Sequence, residues 1–192
     1  MKDRKEFFSN LPEIDTERLL LRKVTRDDLN DIFEYTSNEN VTKYLRWSTH
    51  ESVEVTRKYI DDVLNEYSDG KDSPWMIEYK TQKKVIGAIH IIVYDEKNKR
   101  SEIGYVLSEK YWNKGIMTEA LKAVISYCFD VLGFNRVQLQ CKSENGASEK
   151  VIGKSGSQFE GQMREFVYEK ARYWDIKIFS VLKNEYDRKT IK

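Results

Sequence analysis

Apolar and polar positions change rhythm several times along the chain, and each change predicts an element. ERLLLRKV (17–24) mixes apolar and charged residues and reads as a first strand. Thr25-Arg-Asp-Asp28 resembles a capping box, with Asp where Glu or Gln is usual, and opens a helix. Leu29, Ile32, Phe33 and Thr36 share one face of that helix. A second helix is predicted from Ser48 or Thr49 to Tyr67, because Val53, Thr56, Tyr59, Ile60, Val63, Leu64 and Tyr67 recur at helical spacing. SDGKDSP (68–74) is the clearest turn.

Three strand-like runs follow: 75–79, 84–94 and 100–107. TQKK (80–83) and DEKNK (95–99) are polar enough to be hairpin connections, which predicts an antiparallel meander. The period then changes. From Gly115 to Leu132, apolar residues at Met117, Leu121, Val124, Ile125, Cys128, Phe129 and Leu132 follow the helical rhythm, and Gly133 supplies the stop. RVQLQC (136–141) reads as a strand, 147–155 as a short helix, and 158–168 and 171–182 as two last strands. The order is β-α-α-β-β-β-α-β-α-β-β. With no repeat and no linker, this predicts one α/β domain with a mixed sheet.

Composition narrows the class. Of 192 residues, 40% are hydrophobic and 34% charged, a folded profile. The 33 basic and 32 acidic side chains give a net charge of +1, which argues against nonspecific nucleic-acid binding. Cys128 and Cys141 form neither a disulfide framework nor a CxxC zinc pair, and they read as buried small hydrophobes. His50 and His90 are too far apart for a metal cluster, so no metal is expected. MKDRKEFFSN lacks the apolar core of a signal peptide, and VIGAIHIIVY (85–94) is about half a membrane span. A cytoplasmic protein is expected, with no membrane partner.

Candidate chemistry begins at YWNKGIMTEALKAV (111–124). A helix N-terminus carries unpaired N–H groups and about half a positive elementary charge, so it attracts anions. Gly115 lets a ligand approach the backbone, Lys114 adds a cation, and Thr118 offers a hydroxyl one turn in. Alone the pattern is also that of an ordinary loop-to-helix junction. A rival, GASEKVIGKS (146–155), ends like a P-loop, but six residues rather than four separate Gly146 and Gly153. The residues between them read as helix, so the match is accidental.

YVLSEKYWNKGIMTEAL, then LGFNRVQLQCKSENGASEKVIGKSG and FEG, resembles the GNAT acyltransferase superfamily. The opening TERLLLRKVTRDDLNDIF is similar to the branch of ribosomal-protein N-terminal acetyltransferases. The likeness covers residues 14–185, leaving 1–13 as an N-terminal extension and 186–192 as a tail. It implies a GNAT fold, with a mixed, mostly antiparallel sheet flanked by helices, and acetyl-CoA as cosubstrate. In the family the strand equivalent to 100–107 splays from that equivalent to 136–141. Pantetheine lies in the gap against backbone groups near Val106 and Leu107, and the pyrophosphate sits on Trp112, Asn113, Lys114, Gly115, Ile116 and Met117. The pattern has Gln or Arg at Trp112, Gly or Ala at Met117, and an apolar residue at Ser157. Backbone donors survive such changes, yet Met117 could crowd the diphosphate and Trp112 could pack rather than bind.

Acetyl transfer from a thioester needs an unprotonated amine, stabilisation of an oxyanion and a proton for the thiolate. An alkyl amine, with a pKa of about 10.4, needs more help than a peptide α-amine at about 7.7–8.0. Glu102 lies near the position where some GNAT enzymes carry a glutamate base, although a strand glutamate can simply face solvent. Glu165 and Glu169 are weaker rivals. The family's acid tyrosine corresponds to Ile152 and is missing. Ser148 matches a serine of the N-terminal acetyltransferase branch that could bond the thiol sulfur, or it is a helix-start serine. Asn145 is a pantetheine ligand or an N-cap, and Lys150 meets a CoA phosphate or faces solvent. Tyr44 and Trp47, in YLRW (44–47), and Tyr173 with Trp174 form the expected acceptor wall. The acceptor is expected to be a protein or peptide α-amine. Alternatives are a small-molecule amine such as a polyamine, or acetyl-CoA sensing without turnover. By family analogy alone, a homodimer is compatible with this reading.

Overall fold

Short runs of consecutive apolar residues between polar turns build the central meander: β3 (Trp75–Tyr79), β4 (Lys84–Asp95) and β5 (Arg100–Leu107), paired antiparallel and buried on both faces over much of their length. The structure is a computed structural model describing residues 3–190. Ahead of the meander come α1 (Arg4–Ser9), β1 (Ile14–Asp15), β2 (Leu19–Arg22), α2 (Leu29–Thr36), α3 (Glu39–Thr42) and α4 (Val53–Asp69). After it come α5 (Ile116–Asp130), β6 (Arg136–Lys142), α6 (Gly146–Lys154), β7 (Gln158–Glu169), β8 (Arg172–Leu182) and α7 (Lys183–Thr190). One sheet holds the strands in the order β1-β2-β3-β4-β5-β6-β8-β7. Its neighbours are antiparallel except β5 and β6, which run parallel. A parallel pair requires a crossover, and α5 supplies it. The expected order of elements is present, with α1, β1, α3 and α7 added.

Local chemistry explains where boundaries differ. The Thr25–Asp28 capping box forms, with Thr25 N–H donating to Asp28 Oδ2 at 2.7 Å, but it opens a 3-10 turn (Arg26–Asp28) that runs into α2. Asp28 also takes two bonds from Arg22, both at 2.8 Å, which ties the turn to β2. α4 starts at Val53 rather than at Ser48 or Thr49. His50 N–H is bonded to the Thr36 carbonyl at 3.0 Å, the Thr49 and Thr42 hydroxyls are 2.7 Å apart, and Ser52 is extended. The segment read as an N-terminal extension contains α1, which buries Phe7 and Phe8 in the core; Phe7 packs 5.9 Å from Trp75 and 5.5 Å from Tyr94. Both cysteines are buried, which pushes the Cys128 thiol up to about 12 and Cys141 to about 11. GASEKVIGKS forms α6 with its last residue as C-cap, so its Gly-Lys-Ser is a helix end and no phosphate loop.

Candidate active site

The site begins where a strand pair stops pairing. β5 and β6 are joined from Arg100–Arg136 to Ile103–Leu139 and no further. Beyond that point Gly104–Leu107 stay paired to β4, while Gln140–Lys142 stay paired to β8. Two strands held to opposite neighbours diverge, and a wedge opens between them. Ser108 N–H donates to the Ile86 carbonyl at 2.7 Å, which fixes the phase of the antiparallel alternation. Val106 therefore spends its backbone groups on β4, whereas those of Tyr105 and Leu107 point into the wedge. The Leu107 carbonyl receives the Trp112 indole N–H at 2.9 Å, so Trp112 is a half-open wall fastened to the wedge.

At the wedge mouth lies the loop into α5. Asn113 and Gly115 both have positive φ, 60° and 73°, and Gly115 is an N-cap without a side-chain capping bond. Asn113, Lys114 and Gly115 are exposed, so the loop that leads into the N-terminal end of α5 opens to solvent. Ile116 and Met117 are instead buried in the core, and Thr118 is half-buried. The Met117 side chain therefore points away from the loop and does not crowd it. Lys114 Nζ lies over the Tyr111 ring and donates to the Lys110 carbonyl. Sequence reasoning missed Arg18. Its guanidinium donates to the Lys114 carbonyl at 3.0 Å and pairs with Glu119 at 2.6 Å, and a Cβ built on Gly115 would lie 3.6 Å from it. Burial pushes the Glu119 carboxyl up, but bonds from Thr16 and Arg18 outweigh it and hold the group below its ordinary range.

Glu102 sits at the closed end of the wedge and is buried. Gln138 Nε2 donates to one carboxylate oxygen at 2.9 Å and Gln140 Nε2 to the other at 2.6 Å. Strand alternation puts it opposite Ser101, whose hydroxyl meets Cys128 of α5 at 3.7 Å. Burial raises the Glu102 carboxyl above its ordinary value, against the pull of Gln138, Arg46 and Arg100. A carboxylate oriented by two amides and made more basic by burial suits proton acceptance.

The first turn of α6 reaches the wedge from beside it. Asn145 caps the helix, accepting from Ser148 N–H at 3.0 Å. The Ser148 hydroxyl lies 2.8 Å from the Tyr105 hydroxyl. Tyr105 was not singled out from sequence, where it reads as one more strand aromatic; burial pushes its phenol pKa upward, so it stays protonated. Ile152 is fully buried, and Lys150 faces solvent.

Aromatic residues meet on the far side, but not as expected. Tyr44 packs edge-on to Trp174 at 6.0 Å. Trp47 turns to His50 at 5.4 Å, and Tyr173 packs at a tilt 5.0 Å from Tyr168 on the exposed surface of the β7–β8 hairpin. Glu169 lies 2.7 Å from the buried Lys142 ammonium. Glu165 has positive φ, and its N–H donates to Asp175.

Residues 18–158 match the acetyltransferase (GNAT) domain family, and the chain belongs to that family. It is 33% identical over 172 residues to YoaA of Bacillus subtilis (strain 168), an uncharacterized N-acetyltransferase, covering 90% of this chain and 97% of YoaA. The ribosomal-protein-serine acetyltransferase of Escherichia coli (strain K12) is 28% identical, covering 68% of this chain and 72% of its own. The spermidine N(1)-acetyltransferase of the same strain is 27% identical, covering 76% of each chain. The crystal structure of a GNAT-family acetyltransferase from Bacillus anthracis superposes with a TM-score of 0.80 at 28% identity, covering 90% of this chain and 99% of that one. The chain is thus an N-acetyltransferase of the GNAT type.

Proposed function

We propose that the chain transfers an acetyl group from acetyl-CoA to the α-amine of a peptide or protein N-terminus. The observation that carries this reading is the interrupted β5–β6 pairing. It leaves the Tyr105 backbone groups and the Leu107 N–H facing a wedge whose mouth is an uncapped helix N-terminus and whose closed end holds Glu102. An extended chain of amides fits such a wedge by adding to the free strand edge. A diphosphate fits the exposed loop at the N-terminus of α5 with Lys114 and Arg18 beside it.

Acetyl-CoA supplies the activated acyl group; the chain's own residues handle protons and position. Glu102 takes the proton of the incoming ammonium, directly or through water. Wedge-facing backbone N–H groups stabilise negative charge on the acyl oxygen without a charged side chain. The Ser148 hydroxyl, held by Tyr105, donates to the departing sulfur. An α-amine at about 7.7–8.0 asks far less of a single carboxylate than an alkyl amine at about 10.4. The ribosomal-protein relative supports this acceptor class; the spermidine relative supports a second reading, a small polyamine.

Release of CoA, followed with acetyl-CoA and a panel of N-terminally free peptides and small amines, tests the assignment. Peptides are expected to be acetylated on the α-amine with kcat/KM above that of spermidine. Faster transfer to spermidine favours the second reading, and no transfer to any amine overturns both.

A further inference from the structure

The surface facing Glu102 is short of carboxylates. The Arg46 guanidinium is exposed, and its single ion-pair contact among the described residues is Glu169 at 3.7 Å. Glu169 is already taken by Lys142 at 2.7 Å, so two cations share one carboxylate. Lys142 is 95% buried with its ammonium 4.1 Å from the Trp174 ring. Its contact with Glu169 is short but misaligned, so Lys142 Nζ and Glu169 Oε2 are both buried without a properly directed hydrogen bond. An ammonium has three donors and no other means of spending them here. Lys170 adds a third cation, bonded to the Thr42 carbonyl rather than to any carboxylate. Arg172 stacks on Trp174 at 3.4 Å but is neutralised by Glu144.

Lys142 follows Gln138 and Gln140 at alternate positions of β6, so it projects from the face that holds Glu102. Arg46 is near enough to Glu102 for its charge to act on the carboxyl. We propose that the acceptor peptide carries a carboxylate at its second residue, and that Arg46 forks onto that carboxylate with Lys142 and Lys170 behind it. A guanidinium matches a carboxylate with two parallel N–H bonds, which fixes the peptide end while its amine faces Glu102. Once Glu102 takes up a proton, the wall becomes more positive still. A polyamine would have to leave its remaining ammonium groups among these cations. This inference rests on the amine-transfer reading above and narrows its substrate class.

The test compares kcat/KM for three peptides identical except for Asp, Ala or Lys at the second position, with spermidine as a fourth acceptor, on the wild type and on Arg46→Glu and Arg46→Gln. The wild type is expected to favour the Asp peptide over the Lys peptide by about tenfold or more, the scale of one charge-assisted contact. Arg46→Gln should flatten the ratio and Arg46→Glu reverse it. Equal rates on all three peptides, a preference for Lys or spermidine, or a ratio untouched by either variant overturns the inference while transfer itself stands. No transfer to any acceptor overturns the amine-transfer reading and this one with it.

Discussion

The Tyr105 hydroxyl lies 2.8 Å from Ser148 Oγ and 3.3 Å from the Ser148 carbonyl, so strand β5 is tied to helix α6 across the wedge. The helix itself offers buried Ile152 one turn on. A phenol reaches the wedge all the same, from the strand. Because burial keeps Tyr105 protonated, its O–H is a fixed donor that can leave the serine proton free to point at a leaving sulfur. Ser148→Ala is expected to lower kcat about 100-fold, the lower range for a positioned acid. Tyr105→Phe should lower it about 5- to 10-fold, as for one neutral hydrogen bond. The double variant should match Ser148→Ala alone, since Tyr105 acts through the serine. Pre-steady-state release of CoA measures all three; additive losses would show that Tyr105 acts on its own.

Glu102 gives a prediction with a sign in two observables. Its carboxyl is raised by burial, so the acidic limb of the kcat/KM profile should lie above the ordinary carboxyl value of 4.5. Glu102→Gln should remove that limb and lower kcat/KM by about 10²-fold or more. Stability moves the other way. A group whose pKa is higher in the folded state contributes fully below its unfolded value and loses that contribution as pH rises through the folded value. At neutral pH the buried carboxylate therefore costs stability, and Glu102→Gln should melt no lower than wild type. A melting temperature that falls sharply at pH 7 but not at pH 4 would reverse this assignment.

The sequence made the scaffold legible and the pairings across the wedge illegible, for a physical reason. β3 to β5 declare themselves as short apolar runs bounded by polar turns, and α5 because its apolar stripe runs fifteen residues. α1 escapes the same reading: its six residues carry only Phe7 and Phe8, too few to show a period. Glu102 could be singled out, but its two amide partners are 36 and 38 residues away, and no spacing rule joins them. Tyr105 and Arg18 were invisible as site residues because their partners, Ser148 and Glu119, lie on other elements. Met117 went the opposite way. Its helical phase with Leu121 and Val124 already placed it on the buried stripe, which is why it leaves the loop open.

The loop into α5 separates charge from shape. Gly115 has φ of 73°, where a side chain costs about 1 kcal/mol, yet an added Cβ meets only Arg18 at an ordinary 3.6 Å. Gly115→Ala should thus cost about 1 kcal/mol of stability, or roughly 2–4 °C in Tm, with a modest rise in the KM for acetyl-CoA. Gly115→Asp adds a negative charge where the diphosphate is proposed to lie. Its KM for acetyl-CoA should rise about tenfold beyond that of Gly115→Ala while Tm stays close to it. Equal KM values for the two variants would remove the diphosphate from this turn.

Gly87 offers the sharpest test of the wedge, because it holds the strand that forms one wall. A Cβ there would sit 2.3 Å from the Val106 carbonyl oxygen and 3.1 Å from Leu107 Cα, both backbone atoms that cannot rotate away. β4 is in register with β5 at this point, Gly87 opposite Leu107, so relief must come from pushing β5 away from β4. The only free direction is into the wedge, since β6 is no longer paired there. Gly87→Ala should therefore cost about 1–3 kcal/mol, the usual range for overpacking, and also narrow the slot. The combined signature is a lower Tm together with a raised KM for acetyl-CoA, measured by thermal melting and CoA release. Gly104→Ala is the control: its Cβ would meet only the Ile92 side chain, at 3.6 Å, on the same strand pair. It should leave the KM close to wild type. If Gly87→Ala loses stability with no change in that KM, the position of β5 does not govern the slot and the wedge is not where the cosubstrate binds.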